Sequence, residues 1–131
     1  MKEQEYNILS GKIFDSALTV HKELGPGLLE SVYEACLIEE LESRGTSVER
    51  QVKIPLIYKG KELNKDFRID ILVEKEIIIE LKCVETLLAV HEAQIISYLK
   101  LSDKWLGLLI NFNVPLLKDG YKRFVNGYLK E

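Results

Sequence analysis

Among 131 residues there are only two cysteines, three prolines, one tryptophan and one methionine. Cys36 and Cys83 are too few for a disulfide framework, and they lack the CxxC spacing of zinc or redox sites, so reduced, buried thiols are expected. The longest uncharged run, residues 105–117, falls short of the roughly 18 to 20 apolar residues that a membrane span needs. Acids at Glu3 and Glu5 stand where a secretory leader carries none. A soluble, cytoplasmic protein with no membrane role is the expectation. Excess basic charge is missing too: the net charge is −3 and the pI about 5.5. Proteins that coat nucleic acid by bulk electrostatics usually have a pI above about 9, so any phosphate partner would have to be held locally. GxxxxGK[ST], GxGxxG and GxSxG are all absent, which removes the triphosphatase, dinucleotide-enzyme and serine-hydrolase readings. His91-Glu92 is no zincin motif, because the residue four beyond His91 is Ile95.

What is present is a foldable chain. At 47% hydrophobic and 30% charged residues, the composition is that of a globular protein, and its length suits a single domain over 1–131. Leu9, Ile13, Ala17, Val20 and Leu24 recur at helical spacing and predict a helix over 8–24, closed by Gly25-Pro26-Gly27. A second helix is expected from Leu28, with Val32, Tyr33, Cys36, Leu37 and Leu41 as its apolar stripe and Gly45 as its stop. From Ser47 the period changes to two. Val48, Arg50, Val52, Ile54, Leu56 and Tyr58 share one face, and a returning strand over 67–73 makes a hairpin through Lys59-Gly60-Lys61. Residues 77–83 are apolar enough to lie inside a sheet. A helix over 89–101 followed by the apolar run at 105–112 suggests a βαβ crossover, and 121–125 alternates as an edge strand would.

Three charges interrupt this pattern. Asp70 faces opposite Ile69 and Ile71 in the returning strand. Glu80 and Lys82 project together from the apolar strand, their Cα atoms about 6.5 to 7 Å apart. Burying ions costs several kcal/mol each unless they neutralise one another or bind something. One reading is an ion-pair network among Arg68, Asp70, Glu80 and Lys82. The other is an oxygen-rich pocket in which two carboxylates and an intervening carbonyl suit Mg²⁺ or Mn²⁺, with Lys82 beside a water. That second arrangement is what phosphodiester hydrolysis requires.

Asp70, then Glu80-Leu81-Lys82 after nine intervening residues, resembles the PD-(D/E)xK signature of restriction-endonuclease-like nucleases, with Ile69 where the proline would stand. Gly27-Leu28-Leu29-Glu30-Ser31-Val32-Tyr33 is similar to the motif of the GxxExxY branch of that superfamily. Gln94-Ile95-Ile96-Ser97-Tyr98 resembles the QxxxY motif of RecB-type nucleases, and residues 107–112 resemble a GxLxNF strand. The resemblance implies a restriction-endonuclease-like α/β core, a mixed sheet of four or five strands flanked by helices. It also implies that Asp70, Glu80 and the Leu81 carbonyl bind Mg²⁺ or Mn²⁺, that Lys82 serves the attacking water, and that Glu30 acts as an outer or water-mediated ligand. The expected partner is nucleic acid, DNA ahead of RNA.

Helical spacing agrees in part: His91, Gln94 and Tyr98 fall within an arc of about 60° and share a face with which they could line the same cleft. For Tyr33 and Tyr98 a core role with a bonded hydroxyl is equally open, and for His91 a surface role. The rival to an enzyme is a catalytically silent nucleic-acid-binding or protein-interaction module on the same fold. The acidic balance also raises a homodimer, since one chain offers little phosphate-binding surface.

Overall fold

The computed structural model describes residues 1–130. Helix α1, Glu3–Leu24, starts before the expected residue 8 because Tyr6, Ile13 and Val20 continue one buried stripe, and Glu3 and Glu5 suit the positive end of the helix. The turn that follows uses Gly25 and Gly27 at φ of 68° and 99°, backbone that other residues rarely adopt. Helix α2, Glu30–Ser43, then runs back along α1.

Strands β1, Val48–Tyr58, and β2, Lys61–Val73, form a long antiparallel hairpin. β2 begins well before the expected residue 67, since cross-strand pairing carries through its polar first half. β2 pairs with β3, Ile77–Lys82, only from Val73↔Ile77 to Ile71↔Ile79. β3 leads through α3, Ala89–Ser102, to β4, Leu106–Asn111, which lies parallel to it: the expected crossover. After a short 3-10 turn at Leu117–Gly120, β5, Tyr121–Val125, closes the edge antiparallel to β4. The result is a mixed five-stranded sheet in the order β1-β2-β3-β4-β5, flanked by helices. No helix among the described residues is long and apolar enough to cross a membrane.

Alternation along β3 and β4 builds two cores. Ile77, Ile79, Leu81, Leu106, Leu108 and Ile110 pack with α1 and α2, whereas Ile78 and Leu109 pack with Ile95 and Leu99 of α3. Gly107 lets α3 settle close, because a Cβ there would stand 3.0 Å from Ile95 Cδ1.

Three expectations are corrected. Ile69 and Ile71 do not share a face: Ile69 joins the α3 core and Ile71 the α1/α2 core. The cause is local, since Gln51, between the positions paired with Ile69 and Ile71, has a φ of +50° and breaks the alternation of β1. His21 falls outside the apolar stripe read for the first helix, so a place on the helix flank is expected; it is instead buried with Nε2 2.7 Å from the Val114 carbonyl. Cys36 and Cys83 are unpaired but only half-buried.

Candidate active site

The fork between β2 and β3 organises the site. Beyond Ile71↔Ile79 the two strands separate, and carboxylates take over the hydrogen bonding that a ladder would supply. The Asp70 amide donates to Glu80 Oε1 at 3.1 Å, and the Leu81 amide donates to Asp70 Oδ2 at 2.9 Å. These crossed bonds hold both carboxylates in the gap with one oxygen each still to be used. Within a strand a residue's N–H and C=O point the same way, so the Leu81 carbonyl also faces the gap. The Lys82 carbonyl faces the other way, accepting from the Phe112 amide at 3.0 Å.

Glu80 is only 3% exposed. Burial, and next the nearby charge of Asp70, push its carboxyl up to about 9, against the pull of Lys82. Glu30, exposed at the start of α2, feels the same centre: its carboxyl is raised by burial of the acid group and by Asp70, lowered by Lys82 and raised by Glu34. Tyr98 enters from α3; burial and then the charge of Glu80 raise its hydroxyl, while a 3.2 Å bond from Gln94 Nε2 works against that. Cys83 is raised to about 11 by burial and by Glu30, which removes it as a nucleophile at neutral pH. Three acids therefore share one field with a single lysine. Among the described residues Lys82 makes no ion pair within 4.0 Å, so the alternative of a pairing network is not what holds these charges.

The donor set suits a hard divalent cation. Among the described residues no three His, Cys, Asp or Glu side chains form a cation cage by themselves. Two carboxylates with a backbone carbonyl between them nonetheless match a small ion that keeps most of its water, and a neutral Glu80 has a proton to give up for it.

The structure thus brings Asp70, Glu80, Leu81, Lys82, Glu30, Tyr98 and Gln94 to one place. Tyr33 lies outside it, and among the described residues no hydrogen bond or ion pair joins His91 to it. Tyr33 is sealed, stacked on Phe112 with centroids 4.6 Å apart, and its hydroxyl donates to the Gly25 carbonyl and accepts from the Leu28 amide at 3.2 Å. A side chain with no exposed surface cannot meet substrate; it ties the turn that presents Glu30. His91 Nδ1 accepts from the Leu88 amide at 3.0 Å and serves the start of α3.

Sequence reasoning passed over two residues. Glu34 is 7% exposed, accepts from Gln51 Nε2 at 3.1 Å and lies 3.4 Å from Arg50 Nε, so α2 grips the kink opposite Asp70. Its spacing of four from Glu30 was the available signal. Asn111 is buried and exchanges two bonds with Val84, Nδ2 to the carbonyl at 2.8 Å and amide to Oδ1 at 3.1 Å, which pins the chain just beyond Lys82.

Comparison with curated proteins and with solved structures finds no match. A family model described as the PD-(D/E)XK nuclease superfamily matches residues 7–124, from α1 into β5. With nearly its whole length matched, and with Asp70, Glu80 and Lys82 gathered where β2 and β3 part, this chain belongs to the PD-(D/E)XK nuclease superfamily.

Proposed function

We propose that this chain is a divalent-metal-dependent nuclease that hydrolyses phosphodiester bonds in DNA, with RNA as the second choice. The observation that carries the reading is the pair of crossed amide–carboxylate bonds between Asp70 and Glu80, which aim two acids and the Leu81 carbonyl into one gap. Asp70, Glu80 and that carbonyl would hold Mg²⁺ or Mn²⁺, with Glu30 reached through water. Bound there, the ion would supply a water of lowered pKa and positive charge against the phosphate. Lys82, fixed by its own carbonyl bond to Phe112 and free of an ion pair within 4.0 Å, would place its amine at the edge of the gap, where it could orient a water and transfer a proton. Tyr98, steadied by Gln94, closes the α3 side and presents a hydroxyl to the phosphate. Glu30 and Tyr33, with Gly27, support placement in the GxxExxY branch, Tyr33 as the tie that sets Glu30. The acidic balance extends the reading to a homodimer that shares a duplex, which sedimentation at the dimer mass would support and monomer mass would remove.

The test is incubation with labelled single- and double-stranded DNA and RNA, in Mn²⁺ or EDTA, beside Asp70→Ala and Lys82→Ala. Cleavage that needs the metal and both residues is expected. Cleavage indifferent to either would defeat the reading, and metal-independent DNA binding without turnover would replace it with a silent binding module.

A further inference from the structure

The acidic average of the chain conceals a basic segment. Residues 50–68 carry six basic side chains against two acidic ones, while the other residues carry 12 against 19. This segment is also set apart in the fold. β2 has β3 beside it only at 71–73, so residues 61–69 are paired to β1 alone and, with 52–58, form a two-stranded ribbon continuing outward from Asp70. One face of that ribbon is anchored: Val52, Ile54 and Ile69 pack into the α3 core, and Phe67 lies 5.8 Å from the Tyr98 ring.

The opposite face brings two cations together. Lys53 and Arg68 are direct cross-strand partners, and both are exposed. Like charges directly opposite one another destabilise an antiparallel pair. Neither side chain takes part in a hydrogen bond or an ion pair within 4.0 Å among the described residues, although Asp66 is only two residues from Arg68. Arg68 is two residues from Asp70, roughly 7 Å along the strand, which equals about two nucleotides of axial rise on one DNA strand. Two facing cations with no ion pair within 4.0 Å, one step from the candidate metal-binding acids, fit a polyanion whose repeat carries it past both.

We propose that the β1–β2 ribbon is the arm that grips the phosphate backbone of the strand entering the site, with Lys53 and Arg68 as its principal contacts. The proposal rests on the nuclease reading and deepens it, naming where a net-acidic chain holds its polyanionic substrate. Contacts to phosphate position a duplex without reading its bases, so the grip is independent of sequence.

The experiment compares Lys82→Ala protein with the same protein carrying Lys53→Ala and Arg68→Ala, binding a fluorescent 20-base-pair DNA in Mn²⁺ over a series of salt concentrations. Loss of two phosphate contacts predicts roughly 30-fold weaker binding near 0.15 M salt and a log–log salt slope shallower by about 1.8, alike for unrelated DNA sequences. In the background with Lys82 intact, the double variant should cleave DNA poorly yet hydrolyse bis(p-nitrophenyl) phosphate at the unaltered rate, since that substrate is too small to reach the arm. Its melting temperature should hold or rise, the like-charge pair being gone. Unchanged affinity and slope would overturn the ribbon while DNA cleavage by the unaltered chain left the nuclease reading standing. Equal loss on the small phosphodiester would also overturn it, placing the two residues in the reacting centre. An unaltered chain that neither binds nor cleaves nucleic acid would end both.

Discussion

In β3, Ile77, Ile78 and Ile79 have hydrocarbon on both faces and a strand on both edges, whereas Glu80, Leu81 and Lys82 keep β4 and lose β2. The first half is a buried strand in which each isoleucine contributes roughly 1.5 to 3 kcal/mol by leaving water. The second half has the same neighbour on one side and an opening on the other, and carboxylates occupy the opening. The difference shows how this fold makes room for charge inside a sheet. It does not tunnel into the core; it parts two strands one residue past a fully packed pair.

Substitutions on either side of that boundary should therefore fail in different ways. The largest effect is expected in the open half: Asp70→Ala and Lys82→Ala should lower DNA hydrolysis by roughly 10²- to 10⁴-fold while melting stays near that of the unaltered chain. A matching fall in melting temperature would mean that the two halves are not distinct. In the closed half, Ile79→Ala should cost about 2 to 5 kcal/mol in denaturant unfolding, the range for a buried residue that leaves a cavity. Gly120→Ala comes next. A Cβ there would fall 2.2 Å from the Asn111 carbonyl oxygen, so the chain must shift, at about 1 to 3 kcal/mol, and the Val84 clamp beyond Lys82 should loosen with it. A drop in hydrolysis larger than the drop in stability would sharpen the link between that clamp and the site.

Tyr33→Phe should be milder. It keeps the stack on Phe112 but removes the hydroxyl between Gly25 and Leu28, for about 1 to 2 kcal/mol. A separate prediction concerns pH. Glu80 is raised from 4.5 to about 9, so the folded state holds its proton more tightly than the unfolded state does. Stability from this group is complete below about 4.5 and is lost as pH climbs toward 9. Urea midpoints of metal-free protein should decline over that window, and Glu80→Gln should flatten the decline; an identical slope in the variant would refute the assignment.

Much of this was legible in the chain. Helical and two-residue periods located the three α-helices, the β1–β2 hairpin and β5, and apolar runs located β3 and β4, because burial of apolar side chains dominates the choice of element. The odd charges in apolar strands marked Asp70, Glu80 and Lys82, since no core keeps ions without a reason. What escaped had physical causes. Gln51 carries no sign that its φ is positive, so the turning of β2 between Ile69 and Ile71 was invisible. Tyr33 was ambiguous because a tyrosine near a site and a tyrosine beneath one have the same spacing. Glu34 and His21 became buried through partners distant in sequence, Gln51 and Val114, which periodicity does not report.

The most direct test of the fork as a cation site is titration of metal-free protein with Mn²⁺, following free ion by electron paramagnetic resonance in the unaltered chain and in Asp70→Asn. A saturable site present in the first and lost in the second is the predicted result. Equal binding by both, or binding by neither, would contradict it.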